Sequence, residues 1–290
     1  VRVSRPASWG SREMGKVLVI NYDICNGCYN CQVACKDEHV ANDWSPIAKP
    51  QPDTGQFWNK VYDNVRGQVP KVMITYEHSI CQHCDEAPCI AACSAHAIYK
   101  RPDGIVIIDP DKCRGNQMCI AACPYENVIY FNDALNIAQK CTFCAHLLDD
   151  GWGEPRCVDA CPTGAFTFGD EDDPKIKELI AKAEPLKPEL AHVKPRVYYI
   201  GLPKKFIAGA VFDKEDDLCL EGVIVTAVNT QSGEKTQATS DSYGDFWLRG
   251  LKDGVYTLVI EKPGYLAQKH GPVDVTQKDL NVGDIAMWKA

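Results

Sequence analysis

Hydrophobic and polar positions follow different patterns in the two halves of this 290-residue chain. In the first half, apolar runs of strand length such as Val17–Ile20 and Ile105–Ile108 interrupt long polar stretches, and Val72–Tyr76 alternates as a strand does. The turn Arg101–Gly104 predicts a hairpin around the second of these runs. A membrane-spanning helix needs about 18 consecutive apolar residues, and every apolar run here is much shorter, so no membrane span is predicted.

A helix followed by an extended connector is predicted between the halves. Asp173 precedes Pro174 and the helical stretch Lys175–Ala183, which gives the helix an N-cap residue and a proline at its first position. Three prolines between residues 185 and 195 then predict extended chain.

From about Phe206 the pattern changes to short β segments separated by glycine-containing turns. The predicted strands are 207–211, 222–228, 245–248, 255–260 and 280–285. Strands of this length and spacing predict a small antiparallel β-sandwich.

Composition narrows the choice of partners and compartment. The formal net charge of −8 disfavours nucleic acid as a partner, because binding to phosphates requires a basic face. Residues 1–13 lack the apolar core of a signal peptide, and Met14 is a plausible start that leaves residues 1–14 as a loose extension. We expect a cytoplasmic protein, with export beside a signal-bearing partner as the alternative.

Fifteen of the sixteen cysteines lie in four compact groups between Cys25 and Cys161. The groups are Cys25-x2-Cys28-x2-Cys31-x3-Cys35, Cys81-x2-Cys84-x4-Cys89-x3-Cys93, Cys113-x5-Cys119-x3-Cys123-Pro124 and Cys141-x2-Cys144-x12-Cys157-x3-Cys161-Pro162. Such runs are typical of bacterial ferredoxins, in which three close thiolates hold one iron-sulfur cluster and the fourth reaches another. Motifs of this kind work in pairs, so four groups predict two pairs and up to four clusters.

Two other interpretations of the cysteines are weaker. Disulfide frameworks belong to small secreted domains without a sufficient core, which a chain of 290 residues does not resemble. Zinc sites need four ligands from two separated pairs, and runs of three or four cysteines ending in Cys-Pro are not built that way.

Asn116 interrupts the third group at the position where the spacing predicts a cysteine. Three outcomes are open at this site: a three-iron cluster, a four-iron cluster with Asn116 or water on the odd iron, or no cluster. A missing thiolate also removes a negative charge and shifts the reduction potential away from those of the neighbouring clusters.

Other candidate residues carry little chemistry. Cys219 stands alone and is predicted to be a buried, inert thiol. The seven histidines have no ligand spacing and are expected at the surface, either solvated or hydrogen-bonded. The aromatic residues in the insertion 36–80 suit either core packing or the docking of a partner. No nucleophile, acid-base pair or substrate motif is apparent, so no catalytic residue is predicted.

The cluster region resembles the iron-sulfur subunit of the dimethyl sulfoxide reductase family of molybdenum or tungsten bis-pterin enzymes. The matching stretches are Cys25–Cys35, Cys81–Cys89, Ala97–Asp109 and Lys140–His146 with Cys157 and Cys161. The segment Thr239–Leu258 is similar to a Cna-B or carboxypeptidase-regulatory-like sandwich. An iron-sulfur subunit that ends in such a domain resembles one branch of this family, which contains the small subunits of pyrogallol-phloroglucinol transhydroxylase and resorcinol hydroxylase. The third group here retains Cys113, Cys119 and Cys123, whereas that branch has a degraded third motif, so the exact activity stays open.

The resemblance implies a ligand set for each cluster. Cluster one takes Cys25, Cys28, Cys31 and Cys161; cluster two takes Cys141, Cys144, Cys157 and Cys35; cluster three takes Cys81, Cys84, Cys89 and Cys123; and the atypical cluster four takes Cys113, Cys119 and Cys93, with Asn116 in the position of the missing ligand. It implies three [4Fe-4S] clusters plus one [3Fe-4S] or atypically ligated [4Fe-4S] cluster.

The implied fold is α+β, with a duplicated bacterial ferredoxin-like four-cluster domain followed by a small all-β sandwich. The expected boundaries are 15–169 for the cluster domain, 170–205 for the helix and connector, and 206–290 for the sandwich. The implied function is non-catalytic electron transfer between an external electron carrier and a large partner subunit. Only that partner subunit carries the molybdenum or tungsten pterin, and the complex is expected to act on hydroxylated aromatics. A different reductase of the same family, for a sulfur compound or nitrate, is the first alternative; a free-standing polyferredoxin or a metal-stabilised binding module is the second.

Overall fold

The computed structural model describes residues 15–290 and divides them into two compact units. The first contains residues 15–62 and 76–202, and the second contains residues 63–75 and 203–290. The predicted loose extension 1–14 lies outside the described residues.

The first unit has many short elements separated by loops. In chain order they are β1 Lys16–Asn21, α1 Asn30–Val40, β2 Asn59–Gln68, β3 Lys71–Ile80, α2 Pro88–Ala91, β4 Ile98–Lys100, β5 Val106–Ile108, α3 Met118–Ala122, β6 Ile129–Asn132, β7 Ile137–Lys140, α4 Ala145–Asp149, α5 Arg156–Asp159, β8 Phe166–Asp170, α6 Pro174–Ile180, a 3-10 helix Pro188–Val193 and β9 Val197–Ile200. The strands at Val17–Ile20 and 105–108 and the hairpin around Arg101–Gly104 are confirmed, the hairpin as β4 and β5.

A three-stranded sheet with the order β8-β1-β9 forms the centre of this unit. Strand β1 is antiparallel to β8 and parallel to β9, and its residues Val17–Ile20 are almost completely buried. Because β9 is a member of this sheet, the segment predicted as an extended connector contributes a core strand to the first unit.

Helix α6 begins as predicted. The Asp173 carboxylate accepts hydrogen bonds from the backbone N–H groups of Lys175 (2.8 Å) and Ile176 (3.4 Å), which satisfies two donors that have no partner within the helix. The helix ends at Ile180, earlier than the predicted end at Ala183.

The second unit is a β-sandwich of seven strands within residues 203–290. They are β10 Lys205–Asp213, β11 Ile224–Asn229, β12 Lys235–Thr239, β13 Asp245–Leu251, β14 Val255–Glu261, β15 Gln268–Asp274 and β16 Leu280–Met287. One sheet has the order β13-β10-β16 and the other β12-β11-β14-β15. The five predicted strands are all present, whereas β12 and β15 were not predicted because most of their residues are polar or exposed.

The prediction that the sandwich is purely antiparallel is wrong. Strand β16 runs parallel to β10, with Ile207 beside Leu280 and Val211 beside Ile285. The last strand enters after β15 of the other sheet, and this crossing between sheets sets its direction.

The tip of the β2–β3 hairpin, residues 63–75, belongs to the second unit. Arg66 donates two hydrogen bonds to the carboxylate of Asp279, at 2.9 and 2.8 Å, and Lys71 forms an ion pair with Asp245. The backbone N–H of Asn281 donates to the side-chain oxygen of Gln68 at 2.8 Å. Sequence patterns gave no indication of this association, because it joins polar residues that are distant along the chain.

No helix within residues 15–290 is long and apolar enough to cross a membrane.

Candidate metal centres

Each cysteine group folds as a tight loop that leads into a short helix. The residue two positions after the first cysteine of each group has a positive φ: Gly27 (66°), His83 (47°), Gly115 (69°) and Phe143 (49°). This left-handed backbone reverses the chain sharply; it is easy for glycine and costs the other residues energy. The following helices then carry further cysteines: Cys31 and Cys35 on α1, Cys89 on α2, Cys119 on α3 and Cys157 on α5.

Asn116 occupies the position in the third group that Cys28 has in the first. Each follows a left-handed glycine and precedes a second left-handed residue, Tyr29 (φ 62°) after Cys28 and Gln117 (φ 56°) after Asn116. Both side chains are exposed. The loop geometry is therefore retained although the thiol is absent.

Four thiols from the two ends of the cluster region lie together. Cys25, Cys28, Cys31 and Cys161 line one cavity, next to His78 and Phe166. Burial, followed by the proximity of Cys25 and Cys161, raises the pKa of the Cys31 thiol to about 12. Cys28 is the exposed member of this set.

The second set is completely enclosed. Burial, then the proximity of Cys144 and Cys141, raises the pKa of both Cys35 and Cys157 well above its usual value. Cys35 also neighbours Cys31 of the first set. All four thiols in this second set are buried.

The third and fourth sets are also adjacent. Burial and the proximity of Cys81, Cys123 and Cys89 raise the pKa of Cys84 to about 12. In the fourth set, burial and the proximity of Cys113 and Cys93 raise the pKa of Cys119. The structure thus brings together the thiols of all four predicted ligand sets.

Neighbouring sets lie near one another in a fixed order. Cys119 of the fourth set lies near Cys89 of the third, Cys81 of the third lies near Cys141 of the second, and Cys35 of the second lies near Cys31 of the first. The four positions therefore form a row, with the first and fourth at its ends.

The spacing of the thiols fits clusters better than single ions. Within residues 15–290, no three His, Cys, Asp or Glu side chains are close enough to hold one metal ion. Thiolates on one zinc must all lie about 2.3 Å from it, whereas each thiolate of an iron-sulfur cluster binds its own iron atom.

Backbone N–H groups point at several of the sulfurs. Phe143 donates to Cys141 Sγ and Ala138 donates to Cys113 Sγ, both at 3.4 Å. Burial alone raises the pKa of Cys161, but hydrogen bonds from the Thr163 hydroxyl and from backbone amides outweigh it and lower that pKa. Such donors stabilise negative charge on sulfur, as a ligated thiolate requires.

The expectation that all seven histidines lie at the surface is wrong for three of them. His39, His78 and His83 are each at most 3% exposed and His146 is half-buried, whereas His96, His192 and His270 are exposed as predicted. His78 Nε2 lies 3.7 Å from Cys31 Sγ, and His39 Nε2 lies 3.9 Å from Cys144 Sγ. Isolated histidines have no spacing signal, so their place beside the thiols could not be predicted.

Buried polar atoms without partners surround the same thiols. Among the described residues they include His83 Nε2, Tyr125 Oη and Thr142 Oγ1. The His83 ring accepts from the backbone N–H of Val106 at its Nδ1 (3.0 Å), so its proton is on the unpartnered Nε2. Buried donors are rarely left unpaired, and the sulfur atoms of clusters at these sites would be suitable acceptors. The residues present therefore fit iron-sulfur clusters.

Two other predicted features differ in detail. Cys219 is exposed rather than buried, because it lies in the turn region before β11 and forms only an isolated bridge with Phe212. In the insertion 36–80, Trp58 is buried in the core at 1% exposure, whereas Tyr62 is 40% exposed.

Comparison with known proteins agrees with this architecture. Residues 72–171 match the family described as a 4Fe-4S dicluster domain, and residues 207–287 match the carboxypeptidase regulatory-like domain. The predicted sandwich class is thereby confirmed. Fold and sites together define an iron-sulfur protein with an appended β-sandwich.

Three relatives specify the family. The pyrogallol hydroxytransferase small subunit of Pelobacter acidigallici is 37% identical over 280 residues, 93% of this chain and 98% of that protein. The putative dimethyl sulfoxide reductase iron-sulfur subunit of Halobacterium salinarum is 36% identical, over 57% of this chain and 70% of that protein. The arsenate respiratory reductase iron-sulfur subunit of a Shewanella species is 34% identical, over 63% of this chain and 94% of that protein. The chain belongs to the family of iron-sulfur subunits of dimethyl sulfoxide reductase-type oxidoreductases, as the sequence motifs predicted.

Proposed function

We propose that this chain is the electron-transfer subunit of a molybdenum or tungsten pterin oxidoreductase and catalyses no bond change of its own. The observation that carries the proposal is the row of four thiol sets, in which each set shares a cysteine group with another. Iron-sulfur clusters held there supply one-electron transfer. The chain's residues hold the clusters in sequence, exclude water from the central ones and donate hydrogen bonds to sulfur.

The ligand assignment is part of the proposal. Cluster one is held by Cys25, Cys28, Cys31 and Cys161; cluster two by Cys35, Cys141, Cys144 and Cys157; cluster three by Cys81, Cys84, Cys89 and Cys123; and cluster four by Cys93, Cys113 and Cys119. The first three are [4Fe-4S] clusters. The order of neighbouring thiols supports a relay from one to four, or in reverse.

The two ends of the row are the exchange points with partners. Cys28 at one end and Asn116 at the other are exposed, whereas the thiols of cluster two are buried. Exposed apolar side chains accompany both ends: Ile24 and Val33 near Cys28, and Met118 near Asn116. Electrons can therefore enter or leave at the ends, where a pterin-bearing subunit and an external carrier would dock.

Cluster four is proposed to be a [3Fe-4S] cluster. The Asn116 amide group donates to Ser94 Oγ at 2.8 Å, and its oxygen accepts from the backbone N–H of Met118 at 3.3 Å. A side chain with both polar atoms engaged is a poor iron ligand, which favours an open corner over a fourth iron.

The name of the relative that aligns along nearly the whole chain suggests the substrate class. That protein is the small subunit of a pyrogallol hydroxytransferase, so we assign the large partner subunit to hydroxylated aromatics. The relatives named for dimethyl sulfoxide and arsenate reductases support a different reductase as the second candidate.

We propose a cytoplasmic location, and domain boundaries at 15–169, 170–205 and 206–290.

A pair of cysteine variants tests the electron-transfer proposal. Cys31→Ser removes a buried thiol of cluster one, and Cys219→Ser removes the exposed thiol outside the four sets. In anaerobically purified complex, we expect Cys31→Ser to lose up to about four iron atoms per chain and Cys219→Ser to lose none. Wild-type protein without paramagnetic signals after dithionite reduction would refute the proposal, and purification as a stable monomer would refute its subunit part.

Asn116→Cys tests the cluster type. We expect the wild-type protein to give a three-iron paramagnetic signal when oxidised, and Asn116→Cys to lose this signal and gain a four-iron signal when reduced. Asn116→Ala should keep the oxidised signal. The absence of an oxidised signal in the wild type contradicts the three-iron assignment.

A further inference from the structure

Lys140 is one of the most deeply buried side chains of the chain, although lysine is almost never fully buried without a charge partner. It is the last residue of β7 and is 2% exposed. Its ammonium group donates to the carbonyl oxygens of Val106 and, at 3.0 Å, of Cys141. It forms no salt bridge with any carboxylate of residues 15–290. Two of its three N–H groups are therefore used, both on neutral acceptors.

A buried charge needs compensation, because transferring an ammonium group out of water costs several kcal/mol. The groups around Lys140 that would carry negative charge are cysteines, as thiolates bound to iron. Its charge acts on Cys89 and Cys123 of cluster three and on Cys141 of cluster two, and it lowers the pKa of each against the larger opposing effect of burial. The ammonium group, which is hydrogen-bonded to the backbone of Cys141, thus lies near thiols of both central sites of the row.

His83 does not share this role. It is buried beside Lys140, and burial followed by the charges of Lys140, Lys100 and Arg196 keeps its pKa well below the usual value. The imidazole is therefore neutral. Lys100 and Arg196 are both paired with Asp85, so Lys140 is the cation of this group that lacks a carboxylate partner among the described residues.

We propose that Lys140 is the buried counter-ion of clusters two and three and that its charge raises the reduction potentials of both. This inference rests on the proposed function. Reduction adds one negative charge to a cluster, and a fixed positive charge in a medium of low dielectric constant stabilises that added charge.

For the relay, this charge keeps the reduction potentials of the two central clusters close to those of the end clusters. The cysteines of the two central clusters are buried except for the half-buried Cys123, whereas Cys28 and Asn116 at the ends are exposed. Without a cation, the central clusters would therefore be harder to reduce than those at the ends, because less solvent stabilises the added electron. One cation shared by both central clusters offsets this effect for both. Removal of the Lys140 charge would make the transfer of an electron onto either central cluster less favourable.

The test is a redox titration of the purified complex, with dithionite as the electron donor and paramagnetic resonance as the readout. Lys140→Met removes the charge and keeps an unbranched side chain; Lys175→Met, at an exposed position on α6, is the matched control. We expect Lys140→Met to decrease the equilibrium constant for one-electron reduction of clusters two and three by tenfold or more each. A tenfold decrease lowers the reduction potential by about 59 mV. Cluster one and the control should be unchanged. Unchanged central potentials, or equal shifts of all clusters, would overturn the proposal.

Iron and sulfide analysis separates a charge effect from a packing effect. If Lys140→Met assembles fewer clusters, Lys140→Gln and Lys140→Arg decide the matter. Loss of iron in the neutral variants with full iron in Lys140→Arg supports the counter-ion, whereas loss in all three assigns Lys140 to packing and overturns it. Wild-type complex without clusters refutes the proposed function itself, while normal clusters with unshifted potentials refute this inference alone.

Discussion

The two units of this chain build their interiors in different ways. The sandwich is closed by apolar side chains such as Leu248, Leu258 and Val225, each fully buried, and its buried polar residues Asp213 and Asp279 are hydrogen-bonded. The first unit buries cysteines, three histidines and a lysine in addition to apolar side chains such as Leu18 and Trp58. Of the buried polar side-chain atoms without partners in the described chain, all but that of Thr75 belong to the first unit.

This difference indicates that the sandwich is a complete hydrophobic core, whereas the first unit is complete only with its inorganic clusters. A buried polar group left unsatisfied costs about 1–3 kcal/mol, and the first unit has many of them. The stabilities of the two units should therefore respond differently to the same perturbations.

Removal of iron should have the largest effect. In the full chain treated with a chelator under reducing conditions, we expect the core strand β1 and the helix α1 to lose amide protection, while β11 and β14 keep theirs. Binding of a metal group whose site is not formed in the unfolded chain contributes directly to folding stability. Hydrogen exchange with mass spectrometry measures this, and equal loss in both units would contradict the comparison.

A cavity in the sandwich should have the reverse effect. Leu258→Ala removes a fully buried side chain from β14, and we expect the sandwich to lose about 2–5 kcal/mol of unfolding free energy with no loss of iron. Denaturant unfolding and iron analysis report the two quantities. Leu266→Ala is the control: this side chain is 56% exposed, so its loss should cost less than about 0.5 kcal/mol. Loss of iron in Leu258→Ala would show that the cores are not independent.

The N-cap of α6 gives a smaller effect in the first unit. Asp173→Ala removes the acceptor of the Lys175 and Ile176 N–H groups and should cost about 1 kcal/mol. Faster amide exchange within Pro174–Ile180 is the expected signature. Asp173→Asn should behave as the wild type because asparagine caps equally well, and a loss as large as that of Asp173→Ala would rule out capping as the cause.

The smallest expected effect is an acid-dependent one in the sandwich. A hydrogen bond from the Tyr265 hydroxyl, then backbone amides of Glu215 and Asp216 and the charge of Lys289, lower the pKa of Asp213 to about 2. An unfolded aspartate has a pKa of about 3.9, so this carboxylate contributes stability above that pH and loses it as the pH falls towards about 2. Asp213→Asn should flatten the pH dependence of amide exchange in β10 and β16 over that interval. A variant with the wild-type dependence would show that another group is responsible.

Local sequence signals were sufficient where the structure depends on neighbours along the chain. The Asp173 cap, the hairpin after Arg101 and five sandwich strands follow from turn chemistry and short-range periodicity. Strands β12 and β15 were missed because polar, exposed residues mask their periodicity. The parallel pairing of β16 was missed because strand direction is set by a connection between sheets, not by residue pattern.

The sequence by itself determined the chemistry: the cysteine spacing indicates iron-sulfur clusters, and Asn116 marks the one group that departs from it. Only the tertiary structure decided which thiols from distant groups lie together, and which side chains, His39, His78 and Lys140 among them, surround them. The physical reason is that ligand spacing within a loop is a local property of a few residues. Burial and charge around a site depend on contacts between segments far apart in the chain, and no spacing records them.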